Sequence, residues 1–303
     1  MEASVLRGSL TALITPFKNG KVDDRAFQRL VNWQITEGAH GLIPTGPTGE
    51  SATLDYDEHQ HVLELCIAAA KRRVPIIAGA GSNSTEEAIF LTQHAKRAGA
   101  DAVLHVLPYY NKPQQAGIYY HIKAINDAVD IPLLIYNIPG RTAVDLGVAT
   151  LVRCYELKNV VGIVDATANL RRVSLHRLAL GPGFNQICGD DGISPAFMAH
   201  GGHGCMSVVS NIAPRLYSQF QTLCLEGHFT KALKIHDRLM PLIDALFVET
   251  NPGPVKYAAS RLGLCLPDTR LPLVRISDAS KHFVDLALEK AGLAGAQNNS
   301  DAA

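Results

Sequence analysis

Arg97-Ala98-Gly99-Ala100-Asp101-Ala102-Val103-Leu104-His105-Val106-Leu107 is the stretch that decides the fold. It closes a helical segment on a glycine and runs straight into a mostly apolar strand. The earlier segment Glu37-Gly38-Ala39-His40-Gly41-Leu42-Ile43 echoes it, which points to repeated units. Working outward, β-rich runs fall at residues 10–14, 41–45, 75–79, 102–107, 132–136, 160–164, 185–189 and 204–208. They are largely continuous apolar segments, as strands covered on both faces should be. Their spacing of roughly 25–35 residues is that of a βα unit.

The helices between them carry start signals. Asp55 followed by Glu58 reads as a capping box ahead of Val62, Leu63, Cys66 and Ile67. Ser84 and Glu87 repeat the pattern before Ala88, Ile89 and Leu91. Eight alternating units predict an α/β fold, a (β/α)8 TIM barrel, over residues 1–226. The competing doubly wound sheet lacks its G-x-G-x-x-G after the first strand. Beyond residue 226 the pattern is helical only, at 231–247, 254–262 and 277–291, so residues 227–293 read as a C-terminal helical region. Residues 294–303 are small and polar, and are expected to form a disordered tail.

Composition narrows the function class. The 303 residues are 47% hydrophobic, which excludes a disordered chain. Lys and Arg total 28 and so do Asp and Glu, so no basic footprint suggests nucleic acid or an anionic membrane. The first ten residues hold one basic residue, Arg7, and resemble neither a signal nor a transit peptide. No stretch approaches the roughly 20 apolar residues of a membrane span. Six scattered cysteines without a CxxC read as reduced thiols, and the expected location is cytoplasmic.

Barrel chemistry sits at the C-terminal strand ends. The second run ends in Thr45-Gly46-Pro47-Thr48-Gly49-Glu50-Ser51, a glycine-flanked turn able to aim N–H groups at an anion, or simply a tight βα turn. The fourth ends in Pro108-Tyr109-Tyr110-Asn111-Lys112-Pro113, and the fifth in Tyr136-Asn137-Ile138-Pro139-Gly140-Arg141-Thr142. Tyrosines at neighbouring strand ends can relay protons, and an arginine can clamp a carboxylate. A single tyrosine there is more often packing; the constellation is the stronger signal. His105 and His203 are isolated and read as core or turn residues rather than metal ligands.

These motifs, with Gly189-Asp190-Asp191, Gly201-Gly202-His203-Gly204-Cys205-Met206-Ser207-Val208 and Asn251-Pro252-Gly253-Pro254-Val255-Lys256, occur in the order found in the pyruvate-dependent class I aldolases and lyases related to dihydrodipicolinate synthase. The chain resembles that family over about residues 6–292. The resemblance implies a barrel, a homotetramer of two tight dimers, no cofactor and no metal, and a lyase of lysine biosynthesis. Its substrates would be pyruvate and aspartate semialdehyde. It makes Tyr136 the proton-shuttling tyrosine and Tyr110 the tyrosine that completes the neighbour's relay across the tight dimer. Arg141 would position the second substrate. Thr48, with Gly49, would hold the pyruvate carboxylate, and Gly189 and Met206 would wall the site. Ser51, Ala52, His59, Asn83, Glu87 and Tyr109 match positions that bind lysine as a feedback inhibitor in some relatives, with Tyr56 where those often have histidine. A capped helix face at the dimer contact is the plainer reading of the same residues.

Two positions depart from the pattern. Val164, in Val160-Val161-Gly162-Ile163-Val164-Asp165, stands where the family carries its Schiff-base lysine, and Pro47 where it carries the relay threonine. Valine has no nucleophile, and proline lacks both hydroxyl and backbone N–H. None of the eight runs contains a lysine, and Lys18, Lys112 and Lys158 fall in loops or past strand ends. Three functions follow: a synthase with impaired Schiff-base chemistry, a non-catalytic homologue binding pyruvate-like acids or lysine, or another oxo-acid lyase of the superfamily.

Overall fold

A computed structural model describes residues 6–293 of the chain. The expected tail at 294–303 lies outside the described residues. The strands are β1 (Gly8–Ala12), β2 (Phe17–Lys18), β3 (Lys21–Val22), β4 (Gly41–Ile43), β5 (Ile77–Gly79), β6 (Ala102–Val106), β7 (Leu133–Asn137), β8 (Val160–Asp165), β9 (Asn185–Cys188) and β10 (Gly204–Ser207). The helices are α1 (Asp24–Thr36), α2 (Tyr56–Ala70), α3 (Thr85–Ala98), α4 (Gln115–Ala128), α5 (Pro139–Thr142), α6 (Val148–Tyr155), α7 (Arg171–Leu180), α8 (Ser194–Ala199), α9 (Pro214–Leu225), α10 (Phe229–Ala245), α11 (Gly253–Arg261) and α12 (Asp278–Lys290).

Eight parallel strands run in the order β4-β1-β10-β9-β8-β7-β6-β5. A bridge between Leu42 and Ile76 joins the two ends, so the sheet closes as a TIM barrel with its helices outside. Period-two alternation sorts each strand. Leu10, Ile43, Ile77, Leu104, Leu134, Tyr136, Val164, Ile187 and Met206 fill the interior as one buried cluster. Their outward neighbours pack against the helices in a second, larger cluster.

Local signals explain the elements. Asp55 and Glu58 form the expected reciprocal capping box on α2. Gly99, at φ +94°, ends α3 in the left-handed region that a side chain rarely adopts. At the mouth of β5, a Cβ on Gly79 would lie 2.3 Å from the Thr45 carbonyl oxygen, so the turn after β4 can approach only a glycine there.

Some expectations shift. The first strand starts two residues early, at Gly8, which pairs with Gly204, and it ends at Ala12, leaving Leu13 and Ile14 buried beyond it. The hairpin β2–β3 was not expected, and Lys18 lies in it rather than in a loop. Ser84 caps α3 by accepting from Glu87 N–H, but the Glu87 carboxylate takes the Ser82 hydroxyl instead of completing a capping box. All six cysteines are free, and Cys265 is only partly buried. No helix among the described residues is long and apolar enough to cross a membrane.

Candidate active site

A cavity of about 550 Å³ opens at the C-terminal ends of β4 to β7. The turn after β4 supplies Pro47, Glu50, Ser51 and Ala52; α2 supplies Tyr56 and His59; β7 and α5 supply Tyr136 and Arg141. The turn is conformationally tense. Thr45 and Glu50 both hold left-handed φ near 56°, which is uncommon for non-glycine residues and marks an over-determined segment. Thr45 is held there by its hydroxyl, which donates to the Gly79 carbonyl at 2.9 Å.

The inner wall is set by strand register. Tyr136 pairs with Val164, and the adjoining Asn137 with Asp165. Tyr136 and Val164 therefore face inward together, while Asp165 faces out and accepts from Arg172 Nε at 2.8 Å. Val164 is 0% exposed and is packed in the interior cluster with Tyr136 and Met206. Burial raises the Tyr136 phenol well above its ordinary pKa, and the nearby Arg141 guanidinium only partly opposes this.

Of the residues singled out in sequence, the cavity gathers Pro47, Ser51, Ala52, His59, Glu87, Tyr109, Tyr136 and Arg141. Thr48, Gly49, Val164 and Met206 are buried around it without lining it. Gly189 follows β9 and sits tight against Ala166, which a Cβ there would meet at 2.7 Å. Asn83 donates to the Tyr109 carbonyl. Tyr110 stands apart: its backbone is left-handed at φ 67° and the residue is 90% exposed.

On the outer side of the cavity, Glu87 is engaged by the hydroxyls of Ser82 and Tyr56. The bond to Glu87 raises the pKa of Tyr56. His59 is pushed down to about 4 by burial, so it is neutral at pH 7.

Sequence reasoning missed what holds the turn in place. The fully buried Lys256 ammonium pairs with the Glu50 carboxylate, and Arg270 N–H donates to the other Glu50 oxygen at 2.9 Å. Burial pulls the Lys256 pKa down while Glu50 opposes it. Both cations stack on Phe17, at 3.9 Å for Lys256 Nζ and 4.3 Å for the Arg270 guanidinium. Asn251 also reaches the turn, donating from Nδ2 to Thr48 Oγ1 at 2.9 Å, while its carbonyl accepts from Arg141 at 3.1 Å. The available signal was a lysine inside the otherwise apolar start of α11, next to a segment already noted for its order. Among the described residues no group of three or more His, Cys, Asp or Glu is placed to hold a metal ion.

The arrangement offers a guanidinium, a phenol and a glycine-flanked turn around a small chamber, with hydrocarbon at residue 164 of β8 beside the phenol. The model of the dihydrodipicolinate synthetase family matches residues 5–291. A 4-hydroxy-tetrahydrodipicolinate synthase from Parvibaculum lavamentivorans is 60% identical over 289 residues, 95% of this chain and 99% of that protein. Among solved structures, the chloride-inhibited dihydrodipicolinate synthase from Acinetobacter baumannii complexed with pyruvate is similar at a TM-score of 0.93 and 42% identity, covering 95% of this chain and 99% of that one. A dihydrodipicolinate synthase from Cyanidioschyzon merolae with lysine bound is similar at 0.92 and 37%, covering 97% and 100%.

Proposed function

We propose a function from one premise: the chain belongs to the dihydrodipicolinate synthetase family. Its site is that of a 4-hydroxy-tetrahydrodipicolinate synthase, shaped to bring pyruvate and aspartate semialdehyde together in lysine biosynthesis, with the Schiff-base step impaired. Arg141 would bind the carboxylate of the semialdehyde, Thr48 and Gly49 the carboxylate of pyruvate, and Tyr136 would carry protons. Gly189 and Met206 would wall the pyruvate subsite. Tyr110, projecting on a left-handed backbone, suits a role in a neighbouring subunit of a tight dimer and so in a homotetramer.

One observation carries the reading. The register sets Tyr136 beside Val164 on the inner wall, with Arg141 on the same cavity. The shape is that of a pyruvate lyase, but the side chain at residue 164 has no lone pair to attack a carbonyl. Pro47 adds a second loss, because it offers the turn neither a hydroxyl nor an N–H. Residual turnover from binding and electrostatics alone remains available to such a site.

The hydrocarbon at Val164 also favours a second reading, a non-catalytic homologue that binds pyruvate-like acids or lysine. Turnover of pyruvate with aspartate semialdehyde separates the two. The unaltered chain should run far below Val164→Lys combined with Pro47→Thr. Borohydride with pyruvate should trap an adduct on the double variant only. Equal rates, or an adduct on the unaltered chain, would refute the impaired Schiff-base step; no turnover by either would refute the synthase.

A further inference from the structure

Asn251 joins two parts of the site that are far apart in sequence. Its side-chain amide donates to the Thr48 hydroxyl, 203 positions away, and its carbonyl accepts from Arg141, 110 positions away. The residue lines the cavity yet is only 6% exposed, and Thr48 is 4% exposed. A hydroxyl has one proton and two lone pairs. An amide N–H directed at Thr48 Oγ1 occupies a lone pair and leaves the Thr48 proton for another partner.

The other end of the amide sharpens the point. Asn251 Oδ1 is buried without a hydrogen-bond partner. Leaving a buried acceptor unpaired is unfavourable, and such a group calls for an explanation in the site it serves. The explanation here is polarity. The opposite amide orientation would make Thr48 the donor and consume its proton within the protein.

We infer that Asn251 is a positioning residue: it turns the Thr48 hydroxyl into a hydrogen-bond donor for the carboxylate of a 2-oxo acid, while its backbone sets the Arg141 guanidinium. This rests on the reading above, in which Thr48 faces the pyruvate carboxylate. The fixed placement of Asn251 comes from its own segment, which Lys256, the fourth residue of α11, anchors to Glu50.

Pyruvate affinity, read by calorimetry on the full chain, tests it. Asn251→Ala should bind pyruvate about tenfold more weakly, the loss expected for one hydrogen bond to a charged group. In a Thr48→Val background the same change should add nothing, because the hydroxyl it orients is gone. Asn251→Asp keeps the shape of the side chain but reverses the polarity. It should lose more than the alanine variant at pH 8 and recover as the pH falls towards 5, where a protonated carboxyl can donate to Thr48. The aspartate comparison stands even if the alanine variant fails to fold. Additive losses across the double-variant cycle, or an aspartate variant that binds like the unaltered chain, would overturn the assignment alone. No saturable binding of pyruvate by the unaltered chain would overturn both the assignment and the functional reading beneath it.

Discussion

Glu87 is a residue whose spacing and whose surroundings point to different roles. Its spacing from Ser84 suggests a capping box, yet the carboxylate turns away from the helix to meet Ser82 and Tyr56 at the cavity. An acidic group held by two hydroxyls beside the neutral His59 suits the ammonium of an amino acid. On the lysine-site reading, calorimetric titration with lysine should show saturable binding, and Glu87→Gln should weaken it about tenfold or more. Tyr56→Phe should strengthen it, since it removes a competing partner of the carboxylate. Lysine binding that ignores both substitutions would place the ligand elsewhere. The capping spacing was legible in sequence; the direction of the carboxylate was not, because it depends on Ser82 and on a tyrosine from a different helix.

At the scale of elements, the C-terminal region reaches back and grips the turn after β4. The grip is a buried ion pair, with Lys256 at 0% and the Glu50 side chain at 2% exposed. Removing one partner of such a pair strands the other charge in a dry site. Lys256→Met should therefore cost about 3–5 kcal/mol, whereas Lys256→Met with Glu50→Gln should recover much of that loss. Denaturant unfolding of both variants checks this, and equal midpoints would contradict it. The sequence displayed the eight strands plainly, since each is an apolar run bounded by helix signals. It did not display the hairpin Phe17–Lys18 and Lys21–Val22, whose two-residue strands are too short to carry a period. Without that hairpin the role of Phe17, stacked beneath two cations, had no address. Nor could spacing reveal that Asn251 and Thr48 touch, because a contact across some two hundred residues is made only when the C-terminal region packs back onto the turn after β4.

For the whole molecule, buried histidines govern the response to acid. Burial lowers His59 and His121 to about 4 and His105 to about 3, from 6.5 in the unfolded chain. The unfolded chain therefore takes up protons first as the pH falls below 6.5, and the folded form loses ground until about pH 4, or pH 3 for His105. Each such group contributes about 1.4 kcal/mol per pH unit across its window. Melting temperature should be flat between about pH 7 and 8 and decline between pH 6.5 and 5, above the range where most carboxylates titrate. His105→Gln should make the decline shallower; a melting temperature unchanged down to pH 5 would contradict the account.

The pairing of Tyr136 with Val164 has a consequence for protons as well as for bonds. A phenol in a dry chamber gives up its proton only if a nearby positive charge stabilises the phenolate. On the reading proposed above, an amine at residue 164 would have become such a charge on meeting a carbonyl. With an isopropyl group there instead, Arg141 is left as the nearby cation that opposes the burial. On that reading Tyr136 would give up its proton less readily than beside a charged iminium, and would carry protons more slowly. A change at one strand position would thus slow the residue beside it, with every atom of that tyrosine still in place.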